Sequence, residues 1–417
     1  MGHLRTRLGR ILVCVATMAG LAGVSMLASP SAGAAGGAPI KIAMVCSCSG
    51  PAGPEYSGAE SAFLARIDLQ NAKGGVDGRK IAPLFFDDQT SPSLDVTAVQ
   101  NALSKGAVGI VAVSALFFAG AKYAQQAGIP VTGTSSDGPE WGTPPYTNMF
   151  AADTGSIDTK YPVNTLGGKF LVAHGGTVLG SYGYGISPSS TRSAIGTADS
   201  MKLAGGKVGV LDTSIPFGSV DFTTEALVAK SHHVNAIYAG MDNNSNFALA
   251  TAMVQAGVHL RAVTFPTGYE PSAVTSSAWR YLQGDYFEST FHPFQLPDAG
   301  TRQMQVALEK YAHFTKSEFP SFDQYEAWLG ADLMITGLER AGRDITPSSI
   351  VHALRHVTSY NGNGLLPESI DYATIFGHDL PKLCGWFLQA KPHGFVPVSK
   401  TPSCGTDVPG TTTVTGG

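Results

Sequence analysis

Hydroxyl and carboxylate side chains follow three apolar runs that have the length of β-strands. The runs lie at 40–45, 107–113 and 129–132, and the residues that follow them are Ser49, then Ser114 and Ala115, then Thr134, Ser135 and Asp137. If the runs are parallel strands, the three loops lie at one edge of a sheet, where open α/β sheets bind ligands. Hydroxyls and helix-start amides at that edge suit an anionic or polar ligand group. Taken singly, each residue is better explained by helix capping or turn formation.

Nucleophilic catalysis is not indicated, although serine, histidine and aspartate are all present. The sequence contains no Gly-x-Ser-x-Gly elbow, and no histidine falls in the three loops. The adjacent His232 and His233 predict a solvated surface pair, with a metal site as the alternative. We therefore expect a binding protein with no catalytic residue, no metal and no cofactor; a secreted hydrolase is the enzyme alternative.

The region 39–95 predicts a strand, a crossover helix and a second strand, the unit that builds parallel sheets. The apolar run at 40–45 is the first strand, and 80–86 is the second. Pro83 places the second strand at a sheet edge, because proline has no N–H for a neighbouring strand. The helix is indicated by residues at helical spacing, namely Ala59, Ala62, Phe63 and Ile67.

This region also carries four features in a fixed order, from Ser49-Gly50-Pro51 through a Gly-Ala-rich helix and Asn-x-x-Gly-Gly-x-x-Gly to a strand ending in Asp87-Asp88. It resembles the start of the branched-chain amino-acid-type substrate-binding proteins of ABC transporters. The resemblance implies a type I periplasmic-binding-protein-like α/β fold, with two doubly wound parallel-sheet lobes joined by three crossovers. It implies an extracytoplasmic protein that captures a small polar solute between the lobes and delivers it to the permease subunits of an ABC importer. The alternative is a ligand-sensing receptor module that acts through a protein partner.

The resemblance also implies the division of the chain. Lobe 1 is expected at 40–152 and 286–360, and lobe 2 at 153–285 and 361–405. The helical pattern between Pro320 and Arg340 is the strongest in the chain and is expected to pack on lobe 1. The segment 406–417 is rich in threonine, glycine and proline, which predicts a disordered tail.

Several ligand contacts follow from the resemblance alone. Tyr56 and Tyr184 match aromatic residues beside the ligand, one in each lobe. Ser114 matches a serine that receives the carboxylate in amino-acid binders. Ser135 matches a small residue whose backbone faces the ligand.

Other positions depart from the amino-acid binders. Thr267 lies nearest to the family's acidic residue for an α-ammonium group, so Glu270 and Asp242 are the candidate carboxylates instead. Asp137 stands where a neutral hydroxyl is usual, and would favour a cation or a hydrogen-bond donor; a bond within its own turn is the alternative. Phe117 is also apolar where small polar residues are common. The ligand is expected to be an amino acid, an amide or urea-like solute, or an aromatic or larger organic acid.

The chain has 417 residues and a formal net charge of −4, so nucleic acid is not an expected partner. Residues 1–34 predict a signal peptide, with a basic start, an apolar stretch at 11–28 and small residues before the expected cleavage after Ala34. An uncleaved anchor is the alternative, since about 18 apolar residues just span a bilayer. The protein is expected to be extracellular, cell-surface or periplasmic, with membrane contact only through the importer or that anchor.

Removing the signal peptide leaves four cysteines, and an exported protein can form disulfides. Cys384 and Cys404 flank a predicted hairpin, so a bond between them is expected. Cys46 and Cys48 lie at a strand end, where a mutual bond is expected to be strained. Buried or loosely oxidised thiols are expected there, with a Cys-x-Cys metal site as the alternative.

Overall fold

A computed structural model describes residues 37–135, 137–138, 140–141, 144–153, 163–316, 318–374, 383–409 and 411 of the protein. The predicted signal peptide at 1–34 lies outside these residues. The described strands form two large sheets and a short two-stranded ribbon.

The first sheet is built from the amino-terminal part of the chain. Its strands are β1 (Ile40–Cys46), β2 (Ile81–Asp87), β3 (Gly109–Val113), β4 (Val131–Gly133) and β5 (Met149–Ala151). They are all parallel, in the order β2-β1-β3-β4-β5. The helices are α1 (Gly53–Tyr56), α2 (Ala59–Ala72), α3 (Pro92–Ser104) and α4 (Phe118–Ala127). Pro83 lies in the edge strand β2, which confirms the prediction from its missing N–H.

Helices cover both faces of this sheet, which explains why β1 is apolar throughout. Ile42 and Met44 belong to the large core beneath α2, whereas Ala43 and Val45 belong to a second core beneath α3 and α4. A strand buried on both faces needs apolar residues at every position rather than at alternate ones.

The second sheet contains most of the remaining strands. The remaining strands, some of which lie outside this sheet, are in chain order β6 (Val163–Asn164), β7 (Val178–Tyr184), β8 (Lys207–Ile215), β9 (Ala236–Gly240), β10 (Ala262–Phe265), β11 (Tyr286–Ser289), β12 (Cys384–Lys391), β13 (Gly394–Pro397), β14 (Ser403–Cys404) and β15 (Asp407–Val408). The second sheet has the order β13-β12-β11-β10-β9-β7-β8, with β14 beside β12, and β6 pairs with β15. Its helices are α5 (Leu166–Ala173), α6 (Pro188–Leu203), α7 (Thr223–Ser231), α8 (Asn243–Gln255) and α9 (Pro271–Thr275).

Three further helices follow β11, namely α10 (Ala299–Tyr311), α11 (Phe322–Ala341) and α12 (Pro347–Leu354). The long helix α11 packs on β3 and β4 of the first sheet. Gly330 makes this close approach possible, because a Cβ there would lie 2.8 Å from Val111 Cγ1 and 3.3 Å from the Gly133 backbone. The Thr132 hydroxyl donates to the Gly330 carbonyl across the contact, at 2.7 Å. The predicted strong helix is therefore present and lies against the first sheet.

Two expected boundaries need correction. Residues 286–289 were predicted to belong to lobe 1, but they form β11, which pairs with β10 and β12 in the second sheet. The predicted disordered tail contains β15, whose pairing with β6 is extended by a bond from the Val163 N–H to the Thr411 hydroxyl. Residues 412–417 lie outside the described part of the chain. The rest of the lobe division stays a prediction.

The four described cysteines form two disulfides. The Cys384–Cys404 disulfide joins β12 to β14 and confirms the expected pairing. The prediction for the other pair was wrong, because Cys46 and Cys48 also form a disulfide. β1 ends at Cys46, so the backbone is no longer extended beyond it, and the two Cα atoms are 5.1 Å apart, within the range that a disulfide spans.

We predict that Gly330→Ala destabilises the protein although alanine is the better helix former. The added methyl group would overpack the contact with Val111, which typically costs about 1–3 kcal/mol. Gly167→Ala in α5 is the matched control, because its Cβ would have only ordinary contacts. Denaturant unfolding of both variants tests this, and equal stability of the two variants would contradict the packing argument.

Candidate functional site

Buried hydroxyls surround a carboxylate at the carboxyl edge of the first sheet. Asp88 follows β2 and is fully buried. It accepts hydrogen bonds from the hydroxyls of Ser47, at 2.8 Å, and of Ser114. Burial raises the pKa of Asp88, and the two hydroxyl bonds act in the opposite direction. Ser114 lies at the predicted edge, but its hydroxyl is bound to a carboxylate of the protein itself.

The loop that carries Ser49 is attached to the end of β2. The Ser49 hydroxyl donates to Asp87 Oδ2 at 2.5 Å, and the Thr90 hydroxyl donates to the Ser49 carbonyl at 2.8 Å. The Ala52 N–H in turn donates to the Thr90 hydroxyl at 3.0 Å. Ser49 is exposed, so it lies at the rim, whereas the chain beyond it turns inward into α1.

The loop after β4 also uses its hydroxyls within the protein. The Thr134 hydroxyl donates to Glu326 of α11. The Ser135 hydroxyl donates to Asp153 Oδ2 at 2.9 Å, and the Ser135 N–H donates to the same oxygen at 3.1 Å. Ala115, after β3, is buried, and its N–H donates to the Ser47 hydroxyl at 3.1 Å. The expected edge therefore exists, and its hydroxyl groups are bonded to carboxylates of the protein itself.

Asp137 lies on the core side of this loop. Its side chain is 1% exposed, and Trp141 Nε1 donates to its Oδ1 at 2.6 Å. The Trp141 ring packs near Phe117 in the core beneath α3 and α4. Burial raises the pKa of Asp137. The donor Trp141 lies beyond the turn that begins at Asp137, so a ligand role for Asp137 stays a prediction.

Tyr184 and Asp242 come together at the carboxyl edge of the second sheet. The Tyr184 hydroxyl donates to Asp242 Oδ2, as does the Ser245 hydroxyl at 3.0 Å. Asp242 also caps α8, since Oδ1 accepts from the N–H groups of Asn244, at 2.9 Å, and Ser245, at 3.1 Å. The Phe217 ring lies 4.4 Å from the ring of Tyr184. Two predicted residues thus form one buried group.

Glu270 lies beside this group at the start of α9. Its Oε2 accepts from Asn243 Nδ2 at 2.6 Å, and its Oε1 accepts from the Ser272 hydroxyl at 2.5 Å. The Thr267 hydroxyl, expected nearest to the family's acidic position, donates to the Met241 carbonyl at 2.7 Å. That Glu270 replaces the family's acidic residue stays a prediction.

The helix α1 connects the two edges. It contacts α8, which follows β9, and α11, which packs on the first sheet. Tyr56 is buried in the core, and the neighbouring Glu55 is 7% exposed. After burial itself, the largest influences on the Glu55 carboxyl group are the charges of Asp242, Glu270, Glu326 and Asp323. Five acidic residues from α1, the caps of α8 and α9, and α11 are therefore gathered in one place.

Reasoning from the sequence found two of these five, Asp242 and Glu270. Glu55 was passed over, although it adjoins the predicted Tyr56. Asp323 and Glu326 lie in the first turns of α11, and no local pattern connects them to this edge. Asp88 joins the loops at the first edge through its hydrogen bonds. In the sequence it is marked only by its place in Asp87-Asp88 at the end of a predicted strand.

Burial and mutual repulsion raise the pKa values of these groups. The pKa of Glu55 lies well above its usual range because of burial and then the four neighbouring carboxylates. Burial raises the pKa of Asp323 to about 7 against the bond from Ser321, and Glu270 adds to the rise. Burial also raises the pKa of Glu270, with a further contribution from Asp242. The site therefore favours bound protons or a positively charged partner.

Metal ligation finds little support in the described residues. Among them, the group with metal-ligand spacing is Glu368, Cys384 and Cys404, and the two cysteines are bonded to each other. None of the described helices is both long enough and apolar enough to cross a membrane.

A family model described as periplasmic binding protein matches residues 39–394, which is most of the chain. The chain belongs to the periplasmic binding protein family. This family consists of solute-binding proteins, and membership implies that the protein is exported. The expected resemblance is thereby confirmed.

Individual relatives support the same fold. The Leu/Ile/Val-binding protein of Citrobacter freundii is 28% identical over 214 residues, which cover 48% of this chain and 54% of that protein. The chain thus spans about half the length of this curated relative. A branched-chain amino acid transporter substrate binding protein from Streptococcus pneumoniae, solved with isoleucine, has a TM-score of 0.69 at 16% identity, covering 88% of this chain and 99% of its own. A solute binding protein from R. palustris, solved with benzoate, has a TM-score of 0.67 at 16% identity. The match covers 89% of this chain and 99% of that protein. The predicted type I periplasmic binding protein fold is confirmed.

We predict that the ligand-free protein loses stability as the pH rises through the titration of its buried carboxyl groups. Asp323 has a pKa near 4 when unfolded and about 7 when folded, so the folded state binds more protons between these values. Its contribution is therefore largest below pH 4 and falls as the pH rises to about 7. Melting temperatures across this range test the prediction. The Asp323→Asn variant should show a shallower decline, and an unchanged slope would contradict the assignment.

We also predict that Asp137→Ala lowers the stability of the ligand-free protein. The substitution leaves the buried Trp141 N–H without its acceptor, which typically costs about 1–3 kcal/mol. In a Trp141→Phe background the same substitution should cost less, because the donor is already absent. A double-mutant cycle measured by denaturant unfolding checks this coupling. Additive effects would show that the bond contributes nothing, and unchanged stability with weakened solute binding would return Asp137 to the ligand site.

Proposed function

We propose that this protein captures a small polar solute between its two sheets and delivers it to the permease subunits of an ABC importer. The main support for the proposal is that α1, which follows β1 of the first sheet, contacts α8, which follows β9 of the second sheet. The charges of Asp242 and Glu270 at the edge of the second sheet also act on Glu55 of α1. Open α/β sheets bind ligands at this edge. A solute held there would contact both halves of the molecule.

The path of the chain supports a closing motion. It passes between the sheets three times, namely after β5, after β11 and before β12. Lobes joined by a few connecting segments can rotate about them and close around a ligand. We propose that the lobes correspond to the two sheets with their helices, with the first boundary beyond β5 and the second beyond β11.

The structural neighbours do not indicate one class of solute for this protein, because their own ligands differ. One structural neighbour was solved with isoleucine and another with benzoate, two ligands that share little beyond a carboxylate. The proposal for this chain is therefore solute capture in general, together with export through the amino-terminal signal peptide. Co-purification of an importer permease with the tagged protein tests the delivery step.

We predict that a small molecule accompanies the gently purified protein and that its rebinding makes the protein more compact. Mass spectrometry of the released material identifies the solute. Small-angle scattering should then show a smaller radius of gyration at saturation, because the closed form alone offers both sets of contacts. Protein unfolded without reductant, dialysed and refolded is the ligand-free control. An unchanged radius at saturation would contradict closure, and the absence of any bound or rebinding solute would contradict capture.

A further inference from the structure

Glu55 is a buried carboxylate without a partner. Its side chain is 7% exposed, and it makes no hydrogen bond or ion pair with any other residue that the structure describes. It lies where α1 meets α8 and α11, and the strongest charges acting on it are all negative. A buried carboxylate among like charges is unfavourable unless it takes up a proton or binds a cation.

Its acidic neighbours differ from Glu55 in this respect. Asp242, Glu270 and Asp323 each accept hydrogen bonds from neighbouring hydroxyl, amide or backbone donors. Asp242 caps α8 and Asp323 lies in the first turn of α11, where the helix dipole favours negative charge. The protein thus compensates Asp242 and Glu270 itself, and Asp323 through one of its two oxygens. It supplies no comparable group for Glu55, which sits in a helix of four residues.

Two hydroxyl groups at this edge are already bonded to carboxylates of the protein itself. The Ser114 hydroxyl, which was expected to receive a ligand carboxylate, donates to Asp88, and the Ser135 hydroxyl donates to Asp153. A second carboxylate brought to these hydroxyls would compete for their bonds and be repelled by the carboxylates behind them. The charge of the site therefore selects against an acid.

A single metal ion does not fit the carboxylates around Glu55 either. Within the described ranges, no three of their oxygens lie within 4.8 Å of one another, since the group that meets this spacing is the one at Glu368. A bare metal ion therefore cannot contact three of these carboxylates at once, whereas a longer cation can reach several of them. Alkyl diamines and guanidinium compounds have this size and present several N–H donors.

We propose that the solute is an organic cation, an amine or guanidinium compound, whose N–H groups bind Glu55 from the side of α1, with the negative charges of Asp242 and Glu270 from the second sheet attracting the cation. This assignment rests on the proposed solute-binding function and specifies the chemical class of its ligand. The cation replaces the missing partner of Glu55 and, by neutralising carboxylates on both sides, favours the form in which α1, α8 and α9 are together.

Calorimetric titration and thermal shift with defined probes test this proposal. The cationic probes are 1,4-diaminobutane, 1,5-diaminopentane and agmatine, and the comparison ligands are leucine, benzoate and calcium chloride. We expect at least one cationic probe to bind and the comparison ligands to bind more weakly. Glu55→Gln should weaken the binding of that probe by roughly 30-fold or more, as expected for one partner of a buried charge-assisted bond.

Two control measurements separate ligand binding from folding. Glu60→Gln changes an exposed carboxylate at the start of α2 and should leave the affinity unchanged. The ligand-free Glu55→Gln protein should melt at or above the wild-type temperature, because the substitution removes an unpaired buried charge. A lower melting temperature with unchanged probe affinity would mean that Glu55 is structural and would overturn the assignment.

The remaining outcomes distinguish the ligand class from solute binding itself. If leucine or benzoate binds and no cationic probe does, the ligand class is wrong and the proposed function stands. Glu55-dependent binding of calcium in place of the amines would overturn the assignment in favour of a metal site. If no probe binds and no small molecule accompanies the purified protein, both proposals fail.

Discussion

Parallel strand pairing is the constraint on which the rest of this structure depends. Parallel strands need crossover connections, so every loop that follows a strand returns to the same edge of the sheet. β1 lies between β2 and β3, and the loops after all three meet around Asp88. The second sheet repeats the arrangement with the loops after β7, β9 and β10. The helix α1 then connects the two edges, because the loop after β1 turns inward and contacts α8.

The cost of burying carboxylates determines the chemistry of both edges. Hydroxyl groups satisfy Asp88, and a helix amino terminus together with Tyr184 satisfies Asp242. The donors in these hydrogen bonds are therefore already bonded to carboxylates of the protein rather than to an acidic ligand. A buried charge is tolerated only when it is paired and hydrogen-bonded, and Glu55 is neither with respect to the residues that the structure describes. Glu55 thus leaves uncompensated charge at the contact between the two halves of the molecule, where a ligand could supply the missing partner.

The carboxyl-terminal third of the chain completes both halves. Helix α11 covers the first sheet through the close contact at Gly330, and it brings Glu326 beside Thr134. The chain then returns to the second sheet, where β12 pairs antiparallel with β11 and the Cys384–Cys404 disulfide joins β12 to β14. Antiparallel strands at this end need only short turns, so the chain can finish without another crossover helix.

The sequence by itself determined the local features, because these depend on neighbouring residues. Continuous apolar runs predicted buried parallel strands, Pro83 predicted an edge, and the hairpin predicted the Cys384–Cys404 bond. The family and its fold followed from motifs that lie within one short region. The composition of the acidic site, in contrast, was decided only by the tertiary structure. The charge of Glu326 acts on Glu55 across about 270 positions of sequence because two crossovers and the packing of α11 bring α1 and α11 into contact. No periodicity in the sequence predicts such a long-range interaction. The electrostatic potential at a site is the sum over all nearby charged groups, and only the folded chain brings these groups together.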